Sequence, residues 1–254
     1  MVKPHPFQLT AAGLHFLAMV VMLLDHLGHT LFPALLWLRG IGRIAFPIFA
    51  FLLVEGYFHT GNLKRYALRL FLFALLAEVP FDLMVSGSVY APRSQNVLWT
   101  LLLGLGLIFL HEQTQKIGIL WLRLLCSGGL VVLATFLGAV VQSNYGYAGL
   151  FMILVFYCFR GRKWFHFAGQ FLGLLYINTQ VLSSIPLVIA LPGIHLRLPL
   201  QSLALLALIP IWLYRGKAGC RSKALRRLNY FFYPVHMLIL SILRMLLQFG
   251  NNPS

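Results

Sequence analysis

Long apolar runs alternate with short polar or basic segments along the whole chain of 254 residues. An α-helix needs about 20 residues to cross roughly 30 Å of hydrocarbon, which divides the pattern into about nine helices, within a range of about eight to ten. The predicted spans cover residues 10–34, 41–58, 66–85, 96–111, 117–141, 146–159, 165–190, 198–214 and 228–247. We therefore expect an all-α fold, a polytopic transmembrane helical bundle in which residues 1–254 form a single domain.

Basic residues gather in three of the loops between these runs. The loops contain Lys64, Arg65 and Arg69; Arg160, Arg162 and Lys163; and Arg215, Lys217, Arg221, Lys223, Arg226 and Arg227. Short loops rich in lysine and arginine stay in the cytoplasm, so all three are predicted to be cytoplasmic. Counting crossings between them also places the N-terminus in the cytoplasm. The first run lacks an evident cleavage site and is interpreted as a retained helix of a multi-pass protein in the bacterial inner membrane.

Composition and motifs narrow the function classes. Hydrophobic residues make up 60% of the chain and charged residues 10%, which is typical of a protein whose main partner is the lipid bilayer. The formal net charge is +15, but the basic residues form no long stripe with stacking aromatics, so no nucleic-acid partner is expected. Walker A, GxGxxG, GxSxG and HExxH motifs are absent, which argues against nucleotide hydrolysis, dinucleotide redox chemistry and common hydrolase mechanisms. The cysteines lack metal-ligand spacing, and no metal is expected.

Four of the five carboxylates lie in the first third of the chain, inside or at the ends of apolar runs: Asp25, Glu55, Glu78 and Asp82. A charge near the centre of a bilayer costs roughly 2.5–3.5 kcal/mol on insertion scales, so such acids are candidates for function. Counting spans places all of them except Glu55 in the non-cytoplasmic half. Glu55 is near the cytoplasmic end, where it either carries protons or bonds Lys64 or the backbone.

Asp25 shares the first predicted helix with His26 and His29. Residues four positions apart share a helix face, whereas neighbours point about 100 degrees apart, so we expect Asp25 to bond His29. His26 is then expected to find an orienting carboxylate on another helix, with Glu78 and Asp82 as the candidates. The alternative is that these groups only form hydrogen-bonded packing pairs between helices.

Glu78 and Asp82 form a second pair at positions i and i+4, on either side of Pro80. Two carboxylates on one face do not both ionise cheaply in a low dielectric unless a cation lies between them. Arg43 is the expected cation. It either belongs to a reactive site or only forms a structural bridge between the second and third helices.

Three further segments contain candidate binding residues. Asn96 begins the fourth helix as an N-cap or a ligand contact, and Tyr145 lies in the turn before the sixth helix, as an interface marker or a substrate contact. The segment NYFFYPVHM includes Tyr233 and His236 and follows six basic residues. Those basic residues either reach anionic lipid or hold the phosphates of a nucleotide-like cofactor.

The segments LLDHLGHTLFP, RGIGRIAFPIFAFLLVEGYFHTGNLKRYALRLFLFALLAEVPFD, NYGYAGL and NYFFYPVHM, in this order, resemble the TraX family. Its founding member is the conjugative F-pilin acetylation protein. The likeness covers nearly the whole chain and is densest over residues 23–82. More distantly, the chain is similar to polytopic membrane acyltransferases that modify sugars.

The resemblance implies a membrane N-acetyltransferase that moves an acetyl group from cytoplasmic acetyl-CoA to an acceptor amine, on a peptide or a sugar, at the non-cytoplasmic side. In this reading His26 is the general base or transient acetyl carrier, oriented by Glu78 or Asp82, and Arg43 stabilises the oxyanion. Asp25 stays in the catalytic network with His29. The candidate contacts to CoA are Arg226, Arg227, Tyr233 and His236; those to the acceptor are His29, Asn96 and Tyr145.

Two other functions are compatible with the same residues. Buried acids and histidines suit a proton relay equally well, so the alternative is a proton-coupled transporter of a small polar solute. A third possibility is a non-enzymatic assembly protein in which the polar groups only join helices.

Overall fold

The computed structural model describes residues 9–182, 185–191, 194–219 and 222–250, and 78% of it is helical. Within these residues the α-helices are α1 (Ala11–Thr30), α2 (Leu36–Gly42), α3 (Ala45–His59), α4 (Leu63–Ser86), α5 (Val97–Gln115), α6 (Leu120–Val141), α7 (Gly146–Cys158), α8 (Trp164–Tyr176), α9 (Leu208–Leu213) and α10 (Lys223–Gly250). A π-helical turn (Ile177–Val181) extends α8, and a 3₁₀ helix (Leu200–Ala207) precedes α9. Between them lies an antiparallel hairpin of β1 (Pro186–Leu191) and β2 (Ile194–Pro199).

Five helical segments of the described chain are long and apolar enough to cross a membrane: Ala11–Thr30, Leu36–His59, Val97–Gln115, Leu120–Val141 and Arg227–Gln248. The all-α prediction is therefore confirmed apart from the hairpin, whereas the predicted nine spans are not established. Helix α4 is 24 residues long but carries charges along its length. Helix α7 has 13 residues and rises only about 20 Å, which is less than the thickness of the hydrocarbon.

The predicted span 165–190 is wrong in its second half, where the helix gives way to the π-helical turn and then to β1. The side chains of Asn178 and Thr179 donate to the carbonyl groups of Leu174 and Leu175, both at 2.7 Å, and so compete with regular backbone bonds. Pro186 follows and has no N–H group with which to continue a helix.

Described members of the three basic clusters lie at one end of the bundle, which we call the basic end. The N–H of Ala11 donates to the carbonyl of Lys217 at 2.9 Å, so the start of α1 meets the third cluster. Arg160 of the second cluster bonds Glu55 near the end of α3 at 2.7 Å. The Tyr66 hydroxyl, beside the first cluster, packs against Gly56. The grouping of basic loops that the sequence predicts is thus present in the packing.

Helix α3 forms the centre of the bundle. Ten of its 15 residues are buried, among them Ile48, Ala50 and Val54, against α1, α5, α7 and the 3₁₀ helix. Helix α6 is peripheral: only Ala134 and Gly138 are buried among its 22 residues. Its exposed side chains are mostly leucine and valine, which would be unfavourable in water but suit contact with lipid.

Candidate functional site

A break between α2 and α3 brings the backbone against Asp25. A Cβ atom on Gly42 would lie 2.1 Å from the Cβ atom of Asp25, so only glycine permits this approach. Arg43 directly follows Gly42 and caps α2, which turns its side chain toward α1. Interrupted helices at membrane depth are tolerated where they are buried in protein or line a cavity.

Two arginines converge on one carboxylate oxygen at this break. The Oδ1 atom of Asp25 accepts from Nε of Arg39 at 2.8 Å and from Nη2 of Arg43 at 2.6 Å. Nη1 of Arg39 lies 2.7 Å from Nδ1 of His29. The predicted bond between Asp25 and His29 is therefore wrong, because Arg39 lies between them and a guanidinium binds a carboxylate more strongly than a neutral imidazole does.

Arg43 also connects this pair to the 3₁₀ helix. Its Nε donates to the carbonyl of Arg39 at 3.1 Å, and Nη1 donates to Oε1 of Gln201 at 3.4 Å. Nε2 of Gln201 in turn donates to Oδ1 of Asn178 in the π-helical turn at 3.0 Å. The expected bridge from Arg43 to the carboxylates of α4 is not formed, since Asp25 takes that place.

His26 pairs with a second histidine. Its Nδ1 lies 2.7 Å from Nε2 of His236, and the two rings are nearly parallel, with centroids 4.9 Å apart. The predicted carboxylate partner is therefore wrong, because α10 and not α4 faces His26. His236 was expected on the cytoplasmic side and His26 in the non-cytoplasmic half, so their contact shows that these two placements do not both hold.

The hydrogen bonds assign the protons of this pair. Nδ1 of His236 lies 2.6 Å from the carbonyl of Phe232, which only accepts, so Nδ1 carries the proton. In a neutral imidazole Nε2 is then an acceptor, and Nδ1 of His26 must donate to it. The lone pair of His26 is left on Nε2. His236 thus fixes both the ring orientation and the tautomer of His26.

Tyr145 and Tyr233 lie beside His26. Together with Asp25 they line a small cavity of about 40 Å³. The ring of Tyr145 stacks on Phe46 at 3.9 Å, and that of Tyr233 lies 6.4 Å from His26. Tyr145 thus lies close to Asp25 and His26, and its contact with substrate stays a prediction. Tyr233, a candidate contact to CoA, lies beside His26 and away from Arg227.

The two acids of α4 bond α5 and the loop that precedes it. Oε2 of Glu78 accepts from Nδ2 of Asn96 and from Nε1 of Trp99, the latter at 2.9 Å. Oδ2 of Asp82 accepts from the N–H of Ala91 at 2.8 Å. Asn96 caps α5 by accepting from the N–H of Leu98 at 3.0 Å, so its N-cap interpretation is confirmed. Among the described contacts neither acid bonds His26 or Arg43, so the predicted partnership with those two residues is not formed.

A larger cavity of about 490 Å³ lies on the other side of the arginine pair. Its polar lining consists of His29, Arg39, Arg43 and Gln201. It is separated from His26 by Asp25 and the groups bound to it. Within the described residues no group of three or more potential ligands is placed to hold a metal ion.

Arg226 and Arg227 were predicted to seat CoA. Arg227 is exposed in the first turns of α10, and the side chain of Arg226 lies outside the described residues. Sequence reasoning missed Arg39 and Gln201. The repeated arginine in RGIGR, four positions apart across a glycine break, was the available signal for Arg39, whereas no local pattern indicated Gln201.

The profile of the TraX protein family matches residues 10–244, which include every element of this site. The chain belongs to the TraX family. It is also 28% identical to the probable fimbrial assembly protein FimC, serogroup H1, of Dichelobacter nodosus, over 94% of this chain and 97% of that protein. No solved structure matches the chain. The resemblance that the sequence motifs carry is thus confirmed, and the site described above is that of a TraX-family protein.

Proposed function

We propose that this TraX-family chain is an acetyltransferase of the bacterial inner membrane. It moves the acetyl group of cytoplasmic acetyl-CoA to an acceptor amine at the opposite side. The observation that carries the proposal is the His26–His236 pair, which leaves an oriented lone pair on Nε2 of His26. The fimbrial assembly name of the relative supports a pilin-like peptide as the acceptor, in preference to a sugar.

His26 would act as the general base. As the acceptor amine attacks the acetyl carbonyl, Nε2 takes a proton from the amine while the carbon–nitrogen bond forms. The carbon–sulfur bond breaks, and the same proton passes to the departing thiolate of CoA. Acetyl-CoA supplies only the activated thioester. His26 is briefly cationic in this step, and the lone pair on Nε2 of His236 stabilises that charge through the Nδ1–H group of His26, as a carboxylate does in a catalytic triad.

Arg43 would stabilise the oxyanion that develops on the acetyl carbonyl. Arg43 already uses three of its N–H groups, in bonds to Arg39, Gln201 and Asp25, and the guanidinium carries further N–H groups. The others would serve the oxyanion from a side chain that Asp25 holds in place. The cavity of about 490 Å³ that Arg43 lines would admit the acceptor, whose amine would reach His26 once the groups bound to Asp25 give way.

The test is acetyl transfer from labelled acetyl-CoA to a pilin-like peptide by the purified full chain in nanodiscs. His26→Ala should lower kcat on the order of 100-fold or more, since a general base contributes about that much. His15→Ala is the matched control, because His15 lies on the same helix and is not part of the site. Wild-type transfer by His26→Ala would overturn the role of His26.

The alternative function, a proton-coupled transporter, has its own test. Proton-coupled uptake of a solute into liposomes that contain the protein, without acetylated product, would establish it.

A further inference from the structure

A second polar cavity lies at the basic end, away from the histidine pair. Its volume is about 290 Å³, and we call it the basic cavity. The residues that matter for its chemistry are Glu55, Arg160, Arg162, Gln170, Trp212 and Arg215. It therefore combines three guanidinium groups with a single carboxylate.

The carboxylate neutralises only one of the arginines. Nε of Arg160 donates to Oε1 of Glu55 at 2.7 Å, and the guanidinium lies 4.2 Å from the ring centroid of Phe58. Arg162 donates to the carbonyl of Tyr214 at 3.0 Å, which orients it without cancelling its charge. Within the described lining, Arg162 and Arg215 have no carboxylate partner. The cavity thus has two uncompensated positive charges.

These two charges are close enough to oppose each other. Desolvation and the neighbouring Arg215 both lower the pKa of Arg162. The pKa of an arginine lies so far above neutrality that both groups stay charged. An anion between them would relieve this repulsion, and arginine pairs are the preferred partners of phosphate groups.

Aromatic rings beside the arginines indicate more than a free phosphate. The ring of Trp212 packs edge-on against Phe167 at 5.3 Å, and its Nε1 donates to Oε1 of Gln170 at 2.8 Å. Gln170 is 3% exposed and also donates to the carbonyl of Phe159 at 2.9 Å, so this wall is fixed. A flat aromatic surface next to arginines suits a base attached to phosphates, whereas a lipid headgroup offers no ring to stack.

Two elements connect the basic cavity with the histidine site. Helix α3 begins beside Gly42, which touches Asp25, and reaches Glu55 after 13 residues, a rise of about 20 Å. The chain from Gln201 to Trp212 runs from the same network to the wall of the cavity. The two sites are therefore about 20 Å apart along α3, a separation that the long flexible arm of an acetyl donor would have to span.

We propose that the basic cavity binds the adenosine phosphates of the acetyl donor, with Arg162 and Arg215 as the phosphate contacts. This inference rests on the proposed function and moves the donor site away from Arg226 and Arg227. It assigns the two ends of one molecule to two places: the phosphates to the basic end and the thioester to His26.

Binding can be measured without turnover, which separates this proposal from the chemistry of His26. The purified full chain in phosphatidylcholine nanodiscs is titrated calorimetrically with CoA and with dephospho-CoA, which lacks the ribose phosphate. Arg162→Gln combined with Arg215→Gln should weaken CoA binding on the order of tenfold or more and reduce the preference for CoA over dephospho-CoA. His26→Ala should bind CoA as the wild type does.

Arg227→Gln is the matched control, because it removes one basic residue at the same end but outside the cavity. Arg160 is left intact, since its loss would strand Glu55. An unchanged CoA affinity in the double variant, or an equal loss in Arg227→Gln, would overturn the proposal. The proposal would also be overturned if the protein did not bind CoA but bound phosphatidylglycerol added to the nanodiscs, with an affinity that the double variant lowers.

Discussion

The histidine site and the basic cavity both pair arginines with one carboxylate inside an apolar bundle, yet they differ in what remains available. At the histidine site Arg39 and Arg43 both bond Asp25 and also engage His29 and Gln201. In the basic cavity only Arg160 is paired, and Arg162 and Arg215 face open space. The first arrangement holds the backbone and side chains in place. The basic cavity leaves the positive charges of Arg162 and Arg215 available to bind a ligand.

Exposure separates the two ion pairs as well. Of the arginines that lose their partner when the carboxylate is removed, Arg43 is 17% exposed and Arg39 30%, whereas Arg160 is 37% exposed. Water solvates an unpaired Arg160 better than an unpaired Arg43, and only one guanidinium group loses its anion there instead of two. Loss of the carboxylate should therefore be costly at the histidine site and mild in the basic cavity.

The largest expected effect on stability follows from Asp25→Asn. Breaking a buried ion pair costs about 3–5 kcal/mol because the partner charge stays buried, and here two guanidinium groups lose their anion. We expect a lower free energy of unfolding of that order, measured by denaturant titration in mixed micelles. Unchanged stability would mean that the two arginines do not depend on Asp25.

The next effect concerns His236 and the rate of acetyl transfer. His236→Leu removes the acceptor that orients His26 and should lower kcat on the order of 100-fold with little change in KM, a loss of about 2.7 kcal/mol. His236→Gln supplies a carbonyl oxygen that accepts from Nδ1–H of His26 and should restore part of the rate. Equal losses in both variants, together with equal losses of folded protein, would reduce His236 to a packing residue.

A smaller effect is expected from Gly42→Ala at the break between α2 and α3. The added methyl group meets the side chain of Asp25, and such overpacking costs about 1–3 kcal/mol. Thermal unfolding in detergent measures it. Gly106→Ala is the control, because nothing lies within 4 Å of its Cβ position. Equal unfolding temperatures for the two variants would contradict the close approach.

The smallest effect belongs to Glu55→Gln in the basic cavity. Its partner Arg160 is partly solvated, so the free energy of unfolding should change by about 1 kcal/mol or less. The variant also removes the cavity's carboxylate, so the affinity for CoA should be unchanged or higher in the same titration. A loss of stability equal to that of Asp25→Asn would remove the contrast between the two regions.

Residue spacing within one helix was a good guide to local geometry but a poor guide to partners. Asp25 and His29 do share a face of α1, yet Arg39 separates them. Asn96 caps α5 as its position predicted, since capping depends on a few consecutive residues. The pairing of His26 with His236 joins positions 210 residues apart, and no periodicity within either helix contains that information.

The sequence by itself determined most of the apolar helices, the grouping of basic loops, the polar residues and membership of the TraX family, because these depend on composition and local order. Only the tertiary structure decided which polar groups meet. The rotation of α10 against α1, the glycine contact at Asp25 and the turn that brings Tyr145 under Phe46 all result from packing over the whole bundle. A buried polar group bonds the strongest partner that its side chain can contact, and the packing of the bundle determines which groups it can contact.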